Sequence, residues 1–383
     1  MPHYKFDQLA YNITDKKMPE PGDEKMYIGL EHLDSGSLKI TRWGNEVELT
    51  GQKLVMKKGD ILFGRRNTYL RRAAIAPHDG IFSAHGMIFR PKTEVIDSEY
   101  FPFFISSNYF MDAAIRISVG SLSPTVNWKT LKELEFDIPT LEEQKKSAEL
   151  LKAINDTKEA YQELLIQTDR LVKAQFIEMF GELGKDNKGW GLTTLGQCCE
   201  LNPKRPRDID DDLMVSFVPM SAVTEDGKMD CSDIKRYKDV RKGFTYFAEN
   251  DVLFAKITPC MENGKGVVAK GLEGGIGSGS TEFYVLRPIE GKSNPYWLYI
   301  ITMFDSFRVG ARKVMTGTGG QLRVPIGYLD SYPVSLPPIE LQEQFETFVH
   351  QSDKSKSELQ QAITSIDNLM KAILFSDLED KEA

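Results

Sequence analysis

Apolar and polar positions follow two different rhythms along this chain, and the change from one to the other happens twice. Short apolar or alternating runs at 53–56, 60–63 and 87–89, and again at 251–254 and 282–286, predict buried β-strands. Turn signals separate them, among them Lys58-Gly59, His78-Asp79-Gly80 and Glu225-Asp226-Gly227. Aromatic-rich stretches at 100–110 and 296–307 predict buried helices. After Pro139 the rhythm becomes helical. Thr140-Leu141-Glu142-Glu143 has the form of a capping box, a hydroxyl followed three residues later by a glutamate. Apolar or small residues then recur at alternating steps of three and four: Ile154, Thr157, Tyr161, Leu164, Thr168 and Leu171. The second such series runs Phe345, Phe348, Ser352, Ser355, Leu359, Ala362, Ile366, Leu369 and Ile373. This spacing predicts coiled-coil seams on two long helices, which would pack on each other and act as a spacer. A helix of about 40 residues is roughly 60 Å long. Glu142, Glu143, Lys152, Glu159 and Glu163 fall on outer faces, open to a partner. Gly181, Gly184 and Gly189 end the first helix and supply a linker.

The two series belong to an internal repeat. Asp60-Ile61-Leu62-Phe63 recurs as Asp251-Val252-Leu253-Phe254 at an offset of 191, and Phe89-Arg90-Pro91 as Leu286-Arg287-Pro288 at 197. Val126, Leu131 and Ile138-Pro139 recur as Val324, Leu329 and Leu336-Pro337 at 198, and the helix series share that offset. Tyr27-Ile28-Gly29-Leu30 matches Phe217-Val218-Pro219-Met220 at 190. Two large copies make a duplicated domain, whereas a solenoid needs a short period and more repeats. The expected class is α+β: two tandem α+β domains joined by two long antiparallel coiled-coil helices, with pseudo-two-fold internal symmetry. The expected boundaries are 1–139 and 182–338 for the domains (the second including the linker), 140–181 and 339–376 for the helices, and 377–383 for an acidic tail. A duplicated unit of this kind suits a target that comes in two halves, of which double-stranded DNA is the commonest.

Charge at first argues against such a target, because the 383 residues carry a net charge of −8. The distribution changes that reading. Residues 1–138 balance 18 Lys and Arg against 18 Asp and Glu, and residues 188–338 carry 19 against 18. The acidity sits in 139–187 and 339–383, with 7 basic against 10 acidic residues and 4 against 10. Each repeated domain can therefore present a basic face locally. The four cysteines, Cys198, Cys199, Cys231 and Cys260, have neither zinc-ligand nor disulfide-framework spacing. The five histidines form no cluster, the N-terminus lacks the apolar core of a signal peptide, and no run is long enough to span a bilayer. A reduced, cytoplasmic protein without a membrane partner is the expectation.

The repeated Asp-x-Leu-Phe and Arg-Pro signposts, with Ile138-Pro139-Thr140-Leu141-Glu142-Glu143-Gln144 and Leu336-Pro337-Pro338-Ile339-Glu340-Leu341-Gln342-Glu343-Gln344, resemble the specificity subunit of type I restriction-modification systems. The resemblance covers nearly the whole chain. It implies that each mixed domain is a target-recognition domain reading one half of a bipartite DNA site. It also implies that the paired helices fix the separation of the domains and dock methyltransferase subunits, with motor-nuclease subunits joining that core. Catalysis would then lie on the partners: no catalytic residue, cofactor or metal is expected on this chain, and S-adenosylmethionine, ATP and magnesium would bind the other subunits. One departure stands out, since Ser121-Leu122-Ser123-Pro124 replaces the Thr316-Gly317-Thr318-Gly319-Gly320-Gln321 of the second copy.

Candidate DNA-reading residues follow the Asp-x-Leu-Phe strand in both copies. The first loop supplies Arg65, Arg66, Asn67, Tyr69, Arg71 and Arg72; the second supplies Lys256, Thr258, Asn263 and Lys265. A guanidinium can bind guanine or a phosphate in two-pronged fashion, and asparagine can pair with adenine by the same geometry. Arg116, Ser118 and Ser121 form a second polar loop, matched by Lys313, Thr316, Thr318 and Gln321. The plainer reading of each is a solvated surface loop. Two other motifs are decoys. Asn294-Pro295-Tyr296-Trp297 resembles an adenine-methyltransferase signature, but a helix cap followed by proline explains it more simply. The glycine-rich stretch 274–281 lacks the lysine of a phosphate loop and is expected to be a mobile surface loop. Two alternatives stay open: a diverged stand-alone methyltransferase or nuclease, and a coiled-coil scaffold that binds no DNA.

Overall fold

The computed structural model describes residues 1–44 and 49–378, so the end of the acidic tail, 379–383, lies outside the described residues. The chain divides into two compact units, Met1–Glu163 with the C-terminal stretch from Gln360, and Leu164–Leu359. Each unit combines sheets with short helices and one segment of each long helix, which makes the fold α+β.

The first unit holds two four-stranded sheets. One is antiparallel, in the order Ala10–Ile13, Met87–Pro91, Ile61–Phe63, Ala73–Ile75. The other runs Lys16–Lys17, Lys53–Met56, Gly80–Phe82, Tyr27–Ile28, its last pair parallel. The second unit repeats the first sheet as Cys199–Leu201, Phe283–Pro288, Val252–Ala255, Gly266–Val268. Its other sheet keeps the parallel pair, Met214–Val218 beside Ile276–Gly279, with Thr245–Ala248 on the far side. The fourth strand differs: Lys16–Lys17 extends one edge in the first unit, whereas Ile234–Arg236 extends the opposite edge in the second. The repeat read from sequence is thus a repeat of topology.

The signposts of that repeat have a structural reason. Arg90 donates Nε and Nη2 to the two carboxylate oxygens of Asp60 at 2.8 and 2.9 Å, and Arg287 grips Asp251 in the same way at 2.8 and 2.7 Å. Both aspartates also accept a backbone N–H of the turn before the strand, from Lys57 and from Ala248. A buried carboxylate is tolerated only when its lone pairs are engaged, and here the motif's arginine and the preceding turn supply the partners. Gln144 and Gln342 form a second matched pair. Each side chain donates to two backbone carbonyls and accepts one N–H, Gln144 from Asp97 and Gln342 from Asn294.

The long helices span Leu141–Phe180 and Ile339–Leu378. Thr140 and Glu143 form the expected capping box, with Thr140 N–H donating to Glu143 at 2.9 Å and Glu143 N–H to the Thr140 hydroxyl at 3.4 Å. Within each unit the two helix segments run antiparallel. In the first, Ala148 and Leu151 share a core with Leu374 and Leu378; in the second, Phe176 and Phe180 stack edge-on against Phe345 at 5.5 and 5.3 Å. The pairs also carry a repeated ion pair, Lys158–Asp367 at 2.7 Å in the first unit and Lys356–Asp169 at 3.2 Å in the second. The two pairs are related by the repeat: Lys356 lies 198 positions after Lys158, and Asp169 lies 198 positions before Asp367.

The predicted seams need correction. Leu164, Leu171 and Leu369 are 48, 53 and 50% exposed, and Ile154, Tyr161, Leu359, Ala362, Ile366 and Ile373 are only partly buried. The buried line runs through Ala148, Leu151, Val172, Phe176 and Phe180 on one helix and Phe345, Val349, Ile363, Leu374 and Leu378 on the other. Around Leu171 and Ile373 the true face lies one residue later, because the helix ends pack into the domain cores rather than only on each other; near Ala362 the buried residue is Ile363.

Two further expectations change. Each aromatic-rich stretch is a pair of helices, Phe101–Ser106 with Asn108–Arg116 and Pro295–Met303 with Asp305–Lys313. The stretch 274–281 contains the strand Ile276–Gly279, whose residues 277–279 are buried, rather than a surface loop. A Cβ on Gly279 would stand 2.3 Å from the Val218 carbonyl oxygen, and one on Gly277 2.3 Å from the Phe247 ring. The glycines therefore serve close strand packing. Asn294 caps the helix Pro295–Met303 as expected, accepting from the N–H groups of Tyr296 and Trp297.

Candidate nucleic-acid interface

In each unit the fold brings together the two polar loops that sequence had matched only by position. In the first, residues 64–72 leave the strand Ile61–Phe63 and meet residues 118–125. Arg66 forms a bridge with Thr125, Val126 N–H donates to the Arg65 carbonyl at 2.9 Å, and Asn67 N–H to the Pro124 carbonyl at 2.7 Å. In the second, Val324 N–H donates to the Lys256 carbonyl at 2.9 Å, Thr258 N–H donates to the Leu322 carbonyl at 3.0 Å, and Ile257 bridges Arg323. The hairpin Thr316–Thr318 with Gln321–Arg323 forms the outer part of this second loop pair. The first unit has a smaller turn in its place, closed by reciprocal bonds between Val119 and Thr125. The departure at Ser121-Leu122-Ser123-Pro124 is therefore a shorter turn at the same place, with Leu122 95% exposed at its tip.

The candidate residues separate into those that build the loops and those that face outward. Arg71 binds Asp112 and Asn108, Arg72 donates to the Leu30 carbonyl at 3.2 Å, and Ser118 donates to the Ile115 carbonyl at 2.7 Å. Asn67 and Arg71 both adopt left-handed backbone, φ 56° and 50°, at the ends of the short helix Thr68–Leu70. Thr258 donates to the Gly320 carbonyl and accepts from Leu322 N–H, and Lys265 donates to the Met220 carbonyl at 3.3 Å. These groups hold loop shape. Arg66, Tyr69, Arg116 and Ser121 are exposed in the first unit, as are Asn263, Lys313, Thr316, Thr318 and Gln321 in the second. Arg66 touches Ser123 at 3.3 Å, while Arg65 is half-buried, with its Nε buried and lacking a hydrogen-bond partner among the described residues.

Electrostatics sharpen the second loop. Glu282 binds the Arg323 guanidinium through both oxygens, which holds its carboxyl below the usual range. Lys256 stands 4.8 Å over the Tyr284 ring, and burial pushes its ammonium below the ordinary lysine value. Sequence reading missed one cationic feature, the run Lys204-Arg205-Pro206-Arg207 after the strand Cys199–Leu201. Its three cations are exposed and form no ion pair among the described residues. The signal was there, three basic residues in four, but the acidic 208–212 beside it neutralises the local average. Among the described residues, no cluster of His, Cys, Asp or Glu has the makings of a metal site, and no helix is long and apolar enough to cross a membrane.

Comparison with known proteins now adds to this geometry. A family model described as the type I restriction modification DNA specificity domain matches residues 14–167 and, a second time, 187–366. Over 186 residues, 47% of the chain, the sequence is 38% identical to the EcoEI and 39% identical to the EcoAI specificity subunit of Escherichia coli type I restriction enzymes. The matched stretch spans only 30 and 31% of those relatives. A solved structure described as the basis of complex assembly and conformational transition of the type I R-M system aligns over 98% of this chain and 97% of its own, with a TM-score of 0.55 and 16% identity. The S subunit from M. genitalium aligns over 99 and 96%, with a TM-score of 0.50 and 12% identity. The structural likeness concerns the fold.

Proposed function

This chain belongs to the type I restriction-modification DNA specificity family, and from that premise we propose that it reads a bipartite double-stranded DNA site and performs no catalysis itself. Each unit reads one half-site. Methyltransferase subunits act on adenines at that site, motor-nuclease subunits join for cleavage, and S-adenosylmethionine, ATP and magnesium belong to those partners. The protein works in the cytoplasm, where the DNA is.

One observation carries this reading. Both units present, on a repeated scaffold, two polar loops locked against each other, and the residues on those loops differ between the copies. A shared frame with divergent tips is what independent reading of two different half-sites requires, since base contacts specify while the frame positions. A diverged enzyme would need a cofactor loop, and the two motifs that suggested one are a helix cap and a buried strand. Binding of S-adenosylmethionine by the chain alone would restore that alternative.

The test is modularity. Replacing Arg65 and Arg66 by alanine should weaken or relax recognition at one half-site and leave the other intact, read as the consensus of methylated sites. Equal loss at both halves would overturn the reading.

A further inference from the structure

The second unit contains a cleft of about 280 Å³ beside the loop 256–265, lined by Asn202, Arg205, Tyr246, Lys256 and Tyr284 among others. Its electrostatics are one-sided. The two carboxylates nearest Lys256 along the chain and across the sheet, Asp251 and Glu282, are each taken up by an arginine in a two-pronged pair, Arg287 and Arg323. Lys256 and Arg205 remain as cations without an ion pair among the described residues. Two tyrosine rings wall the space. Tyr284 lies under the Lys256 ammonium, and its own hydroxyl is occupied by the Val324 carbonyl at 2.9 Å, so it orients the lysine rather than competing for a ligand. Tyr246 faces the Arg287 guanidinium, 5.7 Å from its ring centre.

The repeat supplies an internal control. Lys256 and Arg65 occupy one position, since the carbonyl of each accepts from the equivalent valine, Val324 or Val126. Around that shared cation the walls differ. Strand pairing places Tyr284 where the first unit has Met87, and the turn bond to the aspartate places Tyr246 where it has Val55. By the same count from the strand pairs Cys199 with Pro288 and Ala10 with Pro91, Lys204, Arg205 and Arg207 stand where the first unit has Asp15, Lys16 and Met18. The aromatic walls and the cations at 204 and 207 distinguish the second unit, while Arg205 has a basic counterpart in Lys16.

Two uncompensated cations converging on an open polar cleft, edged by further exposed cations, match a tetrahedral oxyanion better than a base edge. A guanine edge also presents only acceptors, N7 and O6, but it is uncharged, and a phosphate answers both the donors and the charge of the two side chains. We propose that this cleft is a phosphate seat on the second unit, in which Lys256 and Arg205 grip one phosphate of the DNA backbone. It anchors that half of the complex on the backbone and fixes the register from which the neighbouring loops read bases. The proposal rests on the reading of the chain as a DNA-binding subunit.

The experiment measures affinity of the full chain for a duplex carrying its site, and for a scrambled duplex, across a range of salt concentrations. Lys256→Gln with Arg205→Gln should lower the magnitude of the slope of log affinity against log salt by about 0.9, the value for one backbone contact. Affinity should fall by the same factor on both duplexes, with the methylated consensus unchanged, and Lys256→Arg should retain the slope. Thermal midpoints of the variants exclude misfolding as the cause. An unchanged slope in folded variants would overturn the proposal, as would a consensus altered at one half-site, which marks base reading. Stabilisation of the unaltered chain by inorganic phosphate at constant ionic strength, abolished in the variant while the DNA slope holds, would assign the seat to a free anion and overturn the backbone assignment. Absence of any duplex binding by the unaltered chain would overturn the functional reading itself, and the seat with it.

Discussion

Arg287→Met isolates the interaction that explains the most conspicuous repeated motif. In the folded chain the Asp251 carboxylate is 1% exposed and accepts three hydrogen bonds, two from Arg287 and one from Ala248 N–H. Methionine keeps most of the volume and removes two of the three, which leaves a buried charge with a single partner. Removing one member of a buried pair costs about 3–5 kcal/mol, several times the roughly 0–1 kcal/mol of an exposed pair. A unit the size of Leu164–Leu359 shifts its midpoint by about 2–4 °C per kcal/mol, so the expected fall is roughly 6–20 °C. Calorimetry of the full chain reads this directly. Asp251→Asn combined with Arg287→Met should recover a large part of the loss, because the neutral amide still accepts from Ala248 without leaving a charge. Arg90→Met should produce the matching effect in the first unit, where Asp60 is 3% exposed. A fall of less than about 2 °C for Arg287→Met would refute the reasoning, since it would equate the pair with an ordinary surface contact.

Two further predictions concern the long helices. Reversing the repeated ion pair, Lys158→Asp with Asp367→Lys, should recover much of the stability lost in Lys158→Asp alone; a double variant no better than the worse single one would mean that Lys158 acts through its bond to the Gly36 carbonyl instead. The corrected helix faces predict opposite outcomes at nearby positions. Leu374→Asp, in the core, should lower the thermal midpoint sharply, while Leu369→Asp, half exposed, should leave folding nearly intact and weaken assembly with the methyltransferase subunit; equal destabilisation by both would restore the seam as first predicted.

How far the sequence carried the fold depends on whether a feature was local or repeated. The Asp-x-Leu-Phe and Arg-Pro signposts were legible because both copies kept them in the same order, while the bidentate pair that explains them, between residues 30 and 36 positions apart, needed the structure. The capping box at Thr140 was legible because every group it needs lies within one helical turn. The seams were misphased for the opposite reason. Periodicity finds an apolar stripe, but it cannot say whether Val172 and Leu374 face a partner helix or a domain core, and at the helix ends the core prevails. The stretch 274–281 misled because glycine signals both loops and tight strand packing, and only the positions of Phe247 and the Val218 carbonyl decide between them. At the interface, matched loops were found by their place in the repeat. The separation of Arg71, Thr258 and Lys265, which shape the loops, from Arg66, Asn263 and Lys313, which face outward, needed the bonds themselves.

The central claim, that this chain specifies a two-part DNA site for partner enzymes, is tested most directly by a methylome. The chain is expressed with its neighbouring methyltransferase subunit in a host that lacks DNA methylation, and modified adenines are mapped by single-molecule sequencing, with the same host lacking this chain as control. The account predicts methylation at one bipartite motif, two fixed half-sites separated by unspecified bases, present only with this chain. Methylation that persists without it, or none at all when both proteins are soluble and associated and the methyltransferase is active with another specificity subunit, would contradict it.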